Sequence, residues 1–440
     1  MARKKRYREL FVYMNGVSVG KLLRESTGQL VFKYDQHWLD DSLARPVSLS
    51  MPLTEVPYKG PIVECYFENL LPDSDAIRKR IQARFNAEST KCFDLLSQIG
   101  GDCVGALQLL TEPLNDDIKT VKAEKIDDTH IAKLLKSYQT APLGMQVNSD
   151  FRISIAGAQE KTALLWYQNH WCLPHETTPT SHIIKLPIGR LAHAGIDLSD
   201  SIENEWLCLQ ILAAYQLPVN QVVMAKFDDV KALVVERFDR MWSPAKRWLM
   251  RLPQEDFCQV LGVPPGLKYE SDGGPGIKAI MSLLQNSENA LEAREQFFKT
   301  VFLFWVMGAI DGHAKNFSVL LKPQGRFQLS PIYDVMSAYP IAEKRELEWQ
   351  KIKMAMAVRS ANTHYDWQSI QLRHWYSMAK QCHFPEHKMR EIITAVFEHM
   401  DGVIDQVKTI LPTNFPSQIC DAVFTGMKKV RNRCGSDHPM

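Results

Sequence analysis

Several features are missing from the sequence, and each absence narrows the function. No apolar run is long enough for a bilayer: the longest, Val301 to Ile310, is about half of the ~20 residues a spanning helix needs. A membrane role is therefore not expected. There is no excess of one charge, with 52 Lys+Arg against 50 Asp+Glu and a formal net charge of +2. A free-standing nucleic-acid binder usually carries a basic surplus, because phosphate neutralisation drives its affinity. The nine cysteines stand singly and in odd number, without a C-x-x-C pair. Neither a disulfide framework nor a zinc knuckle is indicated, and a reducing cytoplasm is expected. The basic start Met1 to Arg6 is not followed by the apolar core of a secretory leader. Repeats of fixed period and low-complexity tracts are also lacking, which argues against solenoids.

What is present is an ordinary globular composition, 45% hydrophobic and 23% charged. The 440 residues exceed what one core usually organises, since single cores seldom grow past ~250–300 residues. The periodicity predicts an α+β protein whose first half is rich in strands and whose second half is helical. Leu10 to Met14 and Val17 to Gly20 flank Asn15-Gly16, a hairpin signal because both central residues tolerate positive φ. Leu30 to Tyr34 reads as a further strand, Pro72-Asp73-Ser74 as the start of an amphipathic helix to about Phe85, and Gly100-Gly101 as the stop of a helix from Phe93 to Ile99. Gly105 to Leu110 resumes as a strand, and Asn115 to Asn148 reads as a connector with one helix. Strands are expected at Arg152 to Ile155, Thr162 to Tyr167 and Ser181 to Lys185. A helix capped by Asp200 and Glu203 should follow from Ile202 to Tyr215, then a hairpin turning at Asp228-Asp229. Beyond Gln254, helical spacing marks Gly276 to Gln285, Ala290 to Gly308, Gln368 to Lys380, His387 to Leu411 and Ser417 to Val430. One hairpin, Phe317 to Leu321 with Phe327 to Leu329, interrupts them. The divisions are drawn at 1–145, 146–253 and 254–440: a small β-rich N-terminal subdomain, a β-rich lobe and a helical lobe, the two-lobed plan of kinases.

The most informative segment is Asp311-Gly312-His313-Ala314-Lys315-Asn316, between an apolar helix and a hairpin. Asp and Asn five residues apart match the D-x-x-x-x-N spacing of kinase catalytic loops. The carboxylate orients the attacking hydroxyl and accepts its proton; the neutral amide oxygen ligates Mg²⁺ without adding charge. A second metal-binding carboxylate belongs after the hairpin, where Asp334 stands. Asp and Asn also favour turns, so the spacing alone leaves a purely structural reading open. A cation for the nucleotide phosphates has two candidates, Lys185 among apolar neighbours on a predicted strand and Lys161 upstream; Glu205 is placed to hold Lys185. The run Ser154 to Lys161 is small-residued but has one glycine, so it is neither G-x-G-x-x-G nor a Walker sequence and reads as a hairpin turn or an anion nest.

Eight ordered blocks then resemble the HipA family of serine/threonine kinase toxins from bacterial toxin–antitoxin pairs. They are Asn69 to Ser74, Phe151 to Thr162, His182 to Pro187, Val235 to Arg240, Arg251 to Asp256, Lys268 to Gly276, Asp311 to Ser318 and Tyr333-Asp334. The resemblance spans nearly the whole chain. It implies ATP and Mg²⁺ as cofactors, Asp311 as catalytic base, Asn316 and Asp334 as Mg²⁺ ligands, and Lys185 on the ATP phosphates. It further implies Glu236 and Phe238 at an adenine-holding hinge, and Ala156, Gly157, Ala158, Gln159, Glu160 and Lys161 over the phosphates. His313 and Lys315 join the ATP site, and Ser154 is the autophosphorylation site that ejects the covering loop. The implied substrate is protein serine, notably on glutamyl-tRNA synthetase, with translation blocked and growth arrested. The implied partner is a HipB-like helix-turn-helix antitoxin through which operator DNA is mainly contacted, so nucleoid association would be indirect. No catalytic position departs from the pattern; Met1 to Arg8 and Ala342 to Met354 are the segments most particular to this chain. A small-molecule kinase and a non-catalytic co-repressor are the alternative classes. The basic clusters Arg3 to Arg8 and Lys428 to Arg433 are expected to be solvated tails. His383 and His387, with Pro385 between them, are expected at the surface, and Ser271 to Gly276 is either a plain loop or a substrate-side segment.

Overall fold

The computed structural model describes residues 8–115, 117–140, 159, 161–191 and 195–435. The chain forms two compact units. The first takes the residues up to Leu186 with Ala225–Gly266 and Val319–Phe327; the second takes Pro187–Met224, Leu267–Ser318 and the residues from Gln328 on.

In the first unit the Asn15-Gly16 signal produces its hairpin. Asn15 has φ 47° and Gly16 φ 82°, and they join Glu9–Met14 to Val17–Arg24 with an irregular register at Val12/Tyr13. These strands lie in a five-stranded sheet of order Tyr58–Lys59, Leu30–Tyr34, Val17–Arg24, Glu9–Met14, Leu107–Leu110. Alternate residues Leu10, Val12 and Met14 point into one core with Val19, Leu22, Phe32, Phe67, Leu95 and Leu96, as a half-buried sheet requires. The helix Cys92–Ile99 ends at Gly100, where a Cβ would lie 2.5 Å from the Leu96 carbonyl oxygen and 2.8 Å from Leu109 Cβ. Only glycine allows that approach. The helix Asp75–Phe85 starts at Ser74, whose hydroxyl accepts from the Ile77 amide at 3.4 Å. It differs from the amphipathic helix expected: none of its residues is buried, and only Ile81 and Phe85 lean on the core.

A second sheet has the order Val222–Phe227, Val230–Glu236, His182–Lys185, Lys161–Tyr167, His170–Pro174, Ala123–Lys125. The expected turn at Asp228-Asp229 carries Asp228 at φ 51°. The segment read as a connector does more than connect. Ala123–Lys125 pairs with His170–Pro174, and the helix Asp128–Thr140 buries Ile131, Leu134 and Leu135 against Leu164, Ile184, Ala232 and Val234. The strand expected at Arg152 to Ile155 lies outside the described residues. Residues 254–266, helical in sequence character, belong to the first unit. There Asp256 and Gln259 form a reciprocal cap on Phe257–Val260, and Asn69 Nδ2 donates to the Val263 carbonyl at 2.9 Å.

The second unit is built around Ala290–Met307, whose Phe297, Phe298, Phe302, Trp305 and Met307 are wholly buried. The helix expected from His387 to Leu411 is two, Glu386–Glu398 and Met400–Thr409, meeting at His399. The apolar stripe Met389, Ile393, Val396, Met400, Val403, Val407 runs straight through the break, so periodicity could not reveal it. A second hairpin, Lys353–Arg359 with Thr363–Asp366, was not expected. Its Met354 to Val358 are all buried, and a short run without alternation does not distinguish strand from helix. Asp200 stands at the N-cap of the helix Ser201–Ala214 as expected, but its side chain makes no capping bond and accepts instead from Lys344 Nζ at 3.2 Å. The C-terminal basic cluster is not a solvated tail either. On the helix Ser417–Gly435, Lys428 and Arg431 pair with Asp401 and Lys429 pairs with Glu343, while Arg433 stacks over Trp305 and Trp367. His383 and His387 are exposed, as expected. Among the described residues no helix is long and apolar enough to cross a membrane.

One buried acid in the first unit sets a pH dependence. The fully buried Glu255 accepts from the Ser48 hydroxyl at 2.5 Å and the Leu49 amide at 2.7 Å. Burial raises its pKa from 4.5 to about 8 despite both bonds. The folded state therefore holds a proton that the unfolded chain releases, so this contribution is present below the unfolded pKa and is lost as pH rises to about 8. Urea unfolding should show stability falling across that interval in the wild type. Glu255→Gln should flatten the slope, and an unchanged slope would contradict the assignment.

Candidate active site

In the second unit the loop that carries Asp311 and Asn316 follows from how the preceding helix ends. Ala290–Met307 terminates at Gly308 in the left-handed conformation, φ 64°, the usual way a helix is stopped. Gly312 then lies on the ring of Phe304, where a Cβ would meet ring carbons at 2.5 and 2.7 Å. From there the His313 amide donates to the Asp311 carbonyl at 2.8 Å and the Asn316 amide to the His313 carbonyl at 2.9 Å, with a 3-10 turn over Ala314–Asn316. The Asn316 side chain closes the loop. Its Nδ2 donates to the Asp311 carbonyl at 2.9 Å and to the Asp334 carbonyl at 3.4 Å. Asp334 itself adopts φ 60°, a strained backbone that Asp tolerates better than most residues. Tyr333 fastens this segment: its hydroxyl donates to the Lys315 carbonyl at 2.9 Å and lies 2.5 Å from the Ser318 hydroxyl. The structure thus brings Asp311, His313, Lys315, Asn316 and Asp334 together.

Exposure divides their roles. Asp311 is exposed, whereas His313, Lys315 and Asn316 are buried and Asp334 half-buried. The Asp311 carboxylate accepts from the Tyr269 hydroxyl at 2.7 Å. His313 Nδ1 is buried and has no hydrogen-bond partner among the described residues. Burial pulls the His313 pKa down, with Lys268 adding to it and Asp311 and Asp334 opposing, so the ring is held neutral. The donor set suits a hard cation. With Nδ2 of Asn316 bonded to two carbonyls, its Oδ1 is the atom left to face a metal beside the Asp334 carboxylate. Among the described residues no cluster of three or more His, Cys, Asp or Glu is arranged for a metal. Two side chains are enough for Mg²⁺, which keeps several waters.

In the first unit both candidate lysines occupy one place. Lys161 and Lys185 are directly paired partners on adjacent antiparallel strands, and Lys185 is only 6% exposed. Paired residues share a face, and like charges set opposite each other are unfavourable on their own. Close to this pair in the chain, Gln159 donates from Nε2 to the Leu186 carbonyl at 2.5 Å. Ala156, Gly157, Ala158, Glu160 and Ser154 lie outside the described residues. Glu205, in the second unit, is buried on Ser201–Ala214 and is no ordinary surface carboxylate.

Glu236 ends the strand Val230–Glu236 and is exposed, and Phe238 is half-buried two residues on. The sequence did not reveal what fixes them. The alternate residues Arg237 and Asp239 point inward into a buried charge cluster. Asp102 accepts from Arg240 Nη2 at 2.9 Å, Arg251 Nε at 3.2 Å, Arg237 Nη1 at 3.3 Å and the Thr180 hydroxyl at 2.7 Å. Asp239 accepts from Arg237 at 2.8 and 3.0 Å, Arg240 at 2.9 Å and the Gly105 amide at 2.7 Å. The Arg237 amide also donates to the Ser181 carbonyl at 2.9 Å. Burial alone would raise the Asp102 pKa, but Arg240, Arg237 and Arg251 outweigh it and hold the carboxyl well below its usual range. The available signal was the recurrence of Asp and Arg in Val235 to Arg240 and Arg251 to Asp256, with nothing to indicate Asp102 as their centre.

Asp102→Asn should therefore cost about 3–5 kcal/mol near neutral pH, because it strands buried guanidinium groups. A carboxyl whose folded pKa is depressed stabilises above its unfolded value, ~3.9, and loses that contribution as pH falls through the folded pKa. The gap between variant and wild type in urea unfolding should narrow only below about pH 4. A gap under about 1 kcal/mol at neutral pH would contradict this account.

Comparison with known proteins adds to this geometry. Residues 153–404 match the family described as HipA-like C-terminal domain, and residues 10–110 match the HipA N-terminal domain. A putative kinase, Y4mE, of Sinorhizobium fredii is 35% identical over 345 residues, which is 76% of this chain and 78% of that protein. The serine/threonine-protein kinase toxin HipA of Shewanella oneidensis is 24% identical over 343 residues, 74% of this chain and 75% of the relative. A solved Shewanella oneidensis structure, a complex of HipA, HipB and operator DNA, superposes with a TM-score of 0.81 at 21% identity, over 98% of this chain and 100% of that one. The α+β, kinase-like fold expected from the sequence is the fold the two share.

Proposed function

The chain belongs to the HipA family, and from that premise we propose that it is an ATP-dependent kinase of protein serine and threonine hydroxyls. The observation that carries the proposal is the Asn316 side chain, whose Nδ2 bonds the carbonyls of both Asp311 and Asp334 and makes a single unit of base and metal-binding positions. Asp311 is exposed, as a group that must meet a protein substrate has to be. It orients the substrate hydroxyl and takes its proton as the new oxygen–phosphorus bond forms and the bond to the β-phosphate oxygen breaks. Asn316 and Asp334 are the residues to hold Mg²⁺, which when bound supplies neutralising charge to the phosphates. Lys185, with Lys161 opposite it, supplies further positive charge to them. Glu236 and Phe238 offer backbone groups to the adenine, and the buried arginine cluster keeps that backbone in place. His313 and Lys315 line the nucleotide side, and Ala156 to Lys161 cover the phosphates.

The same proposal takes protein serine as the target, with glutamyl-tRNA synthetase as first candidate and arrest of translation as consequence. A HipB-like helix-turn-helix antitoxin is the proposed partner, supported by the composition of the similar Shewanella complex. Operator DNA is then contacted mainly through that partner, in the cytoplasm. The near-neutral charge and the internally paired basic residues of the last helix agree with this division of labour.

Two measurements test the proposal. Incubated with γ-labelled ATP and a bacterial lysate, the wild type should label a protein band that Asp311→Ala labels ~10²-fold less or weaker still, the usual effect of losing a general base. Equal labelling by the two would remove Asp311 from the mechanism. Ser154→Ala should abolish labelling of the chain itself while leaving ATP binding intact; a phosphopeptide map with another dominant site would contradict that role.

A further inference from the structure

The segment Lys268 to Gly276 is neither a plain loop nor accounted for by the reading above. Tyr269 donates its hydroxyl to Asp311 Oδ1 at 2.7 Å, and its ring meets His313 edge to face at 5.1 Å between centroids. The Lys268 carbonyl accepts from the Ala314 amide at 3.3 Å, and the Lys268 ammonium lies 5.6 Å from the Tyr269 ring centre. An exposed tyrosine–carboxylate bond alone is weak ground for a role. The backbone behind it is what distinguishes this one.

Glu270, next in the chain, turns the other way, with its side chain only 8% exposed. Its carboxylate accepts from the Ala357 amide at 2.7 Å and from Arg359 Nε and Nη2 at 3.1 and 2.6 Å, which clamps the segment to the Lys353–Arg359 strand. A 3-10 turn over Glu270–Asp272 closes with Gly273 at φ 96° and the Gly274 amide on the Tyr269 carbonyl at 2.9 Å. A Cβ on Gly274 would sit 1.9 Å from the Leu267 carbonyl oxygen, and one on Gly276 2.1 Å from Glu270 Cδ. The segment is a braced strut that ends in one hydroxyl on one oxygen of Asp311.

We propose that Tyr269 is the positioning residue of the catalytic carboxylate. By occupying Oδ1 it fixes the Asp311 rotamer and leaves Oδ2, which has no hydrogen bond among the described residues, as the atom that receives the substrate proton. Misplacing a reacting group by as little as 1 Å can cost orders of magnitude in rate, so a bond of modest stability has a large effect on turnover. The inference rests on the kinase reading.

The test measures transfer from γ-labelled ATP into the chain and a lysate at increasing ATP, using full-length protein. Tyr269→Phe keeps the ring against His313 and removes only the hydroxyl. It should lower the maximal rate on the order of 10-fold with half-saturating ATP changed less than about twofold. Placed on Asp311→Ala, the same substitution should cause no further loss, since the tyrosine acts only through that carboxylate. Gly276→Ala, which must push the Glu270 carboxylate aside, should reproduce the Tyr269→Phe effect. A wild-type rate in Tyr269→Phe, or an equal loss in the Asp311→Ala background, would overturn the inference while leaving the kinase reading intact. No transfer by the wild type would defeat the kinase reading, and the inference with it.

Discussion

The second unit depends on one amide. Asn316 Nδ2 reaches the carbonyl of Asp311, five residues back, and that of Asp334, eighteen residues on. A single side chain thereby ties the position proposed to handle a proton to the one proposed to hold a metal. The interaction also decides the amide's own orientation: with nitrogen toward the two carbonyls, the oxygen is the atom left for the proposed cation. Aspartate here would place a carboxylate against both carbonyls, and glutamine would misplace the head group by a methylene. The strained φ of Asp334 and the Tyr333 hydroxyl on the Lys315 carbonyl belong to the same arrangement, since strain of this kind persists only where its surroundings over-determine it.

The first unit solves a different problem by the opposite means. The backbone of the exposed Glu236 and the half-buried Phe238 is anchored from beneath by the alternating residues Arg237 and Asp239. Buried ions are a costly device and add little net stability compared with apolar packing. Their value lies in direction: guanidinium and carboxylate groups with several bonds each admit few other arrangements. Glu255 shows the contrasting case, a buried acid without a cationic partner in its hydrogen bonds, kept protonated by its surroundings.

Legibility from sequence followed locality. The Asn15-Gly16 turn, the Gly100 and Gly308 helix stops and the helix–loop–hairpin order around Asp311 are written in adjacent residues, and each formed as read. Lys161 and Lys185 appeared as rivals because pairing across strands is not visible along the chain; the register makes them neighbours. Asp102 was silent for the same reason, standing more than a hundred residues from its arginines. The hairpin at Lys353–Arg359 was missed because its buried strand lacks alternation, and the break at His399 because the apolar stripe crosses it. Tyr269 lay within a motif that resembled the family, but a tyrosine in a glycine-rich segment has no chemistry until its hydroxyl is seen on a carboxylate. The roles at Ser154 and Ala156 to Ala158 remain expectations of sequence, outside the described residues.

The central claim is that Asn316 and Asp334 form the metal half of a phosphoryl-transfer site. The most direct measurement is anomalous diffraction from a crystal grown with Mn²⁺ and a non-hydrolysable ATP analogue. The account predicts a manganese peak bound by Asn316 Oδ1 and the Asp334 carboxylate and touching the analogue's phosphates. Manganese and nucleotide bound with neither residue as ligand would contradict it.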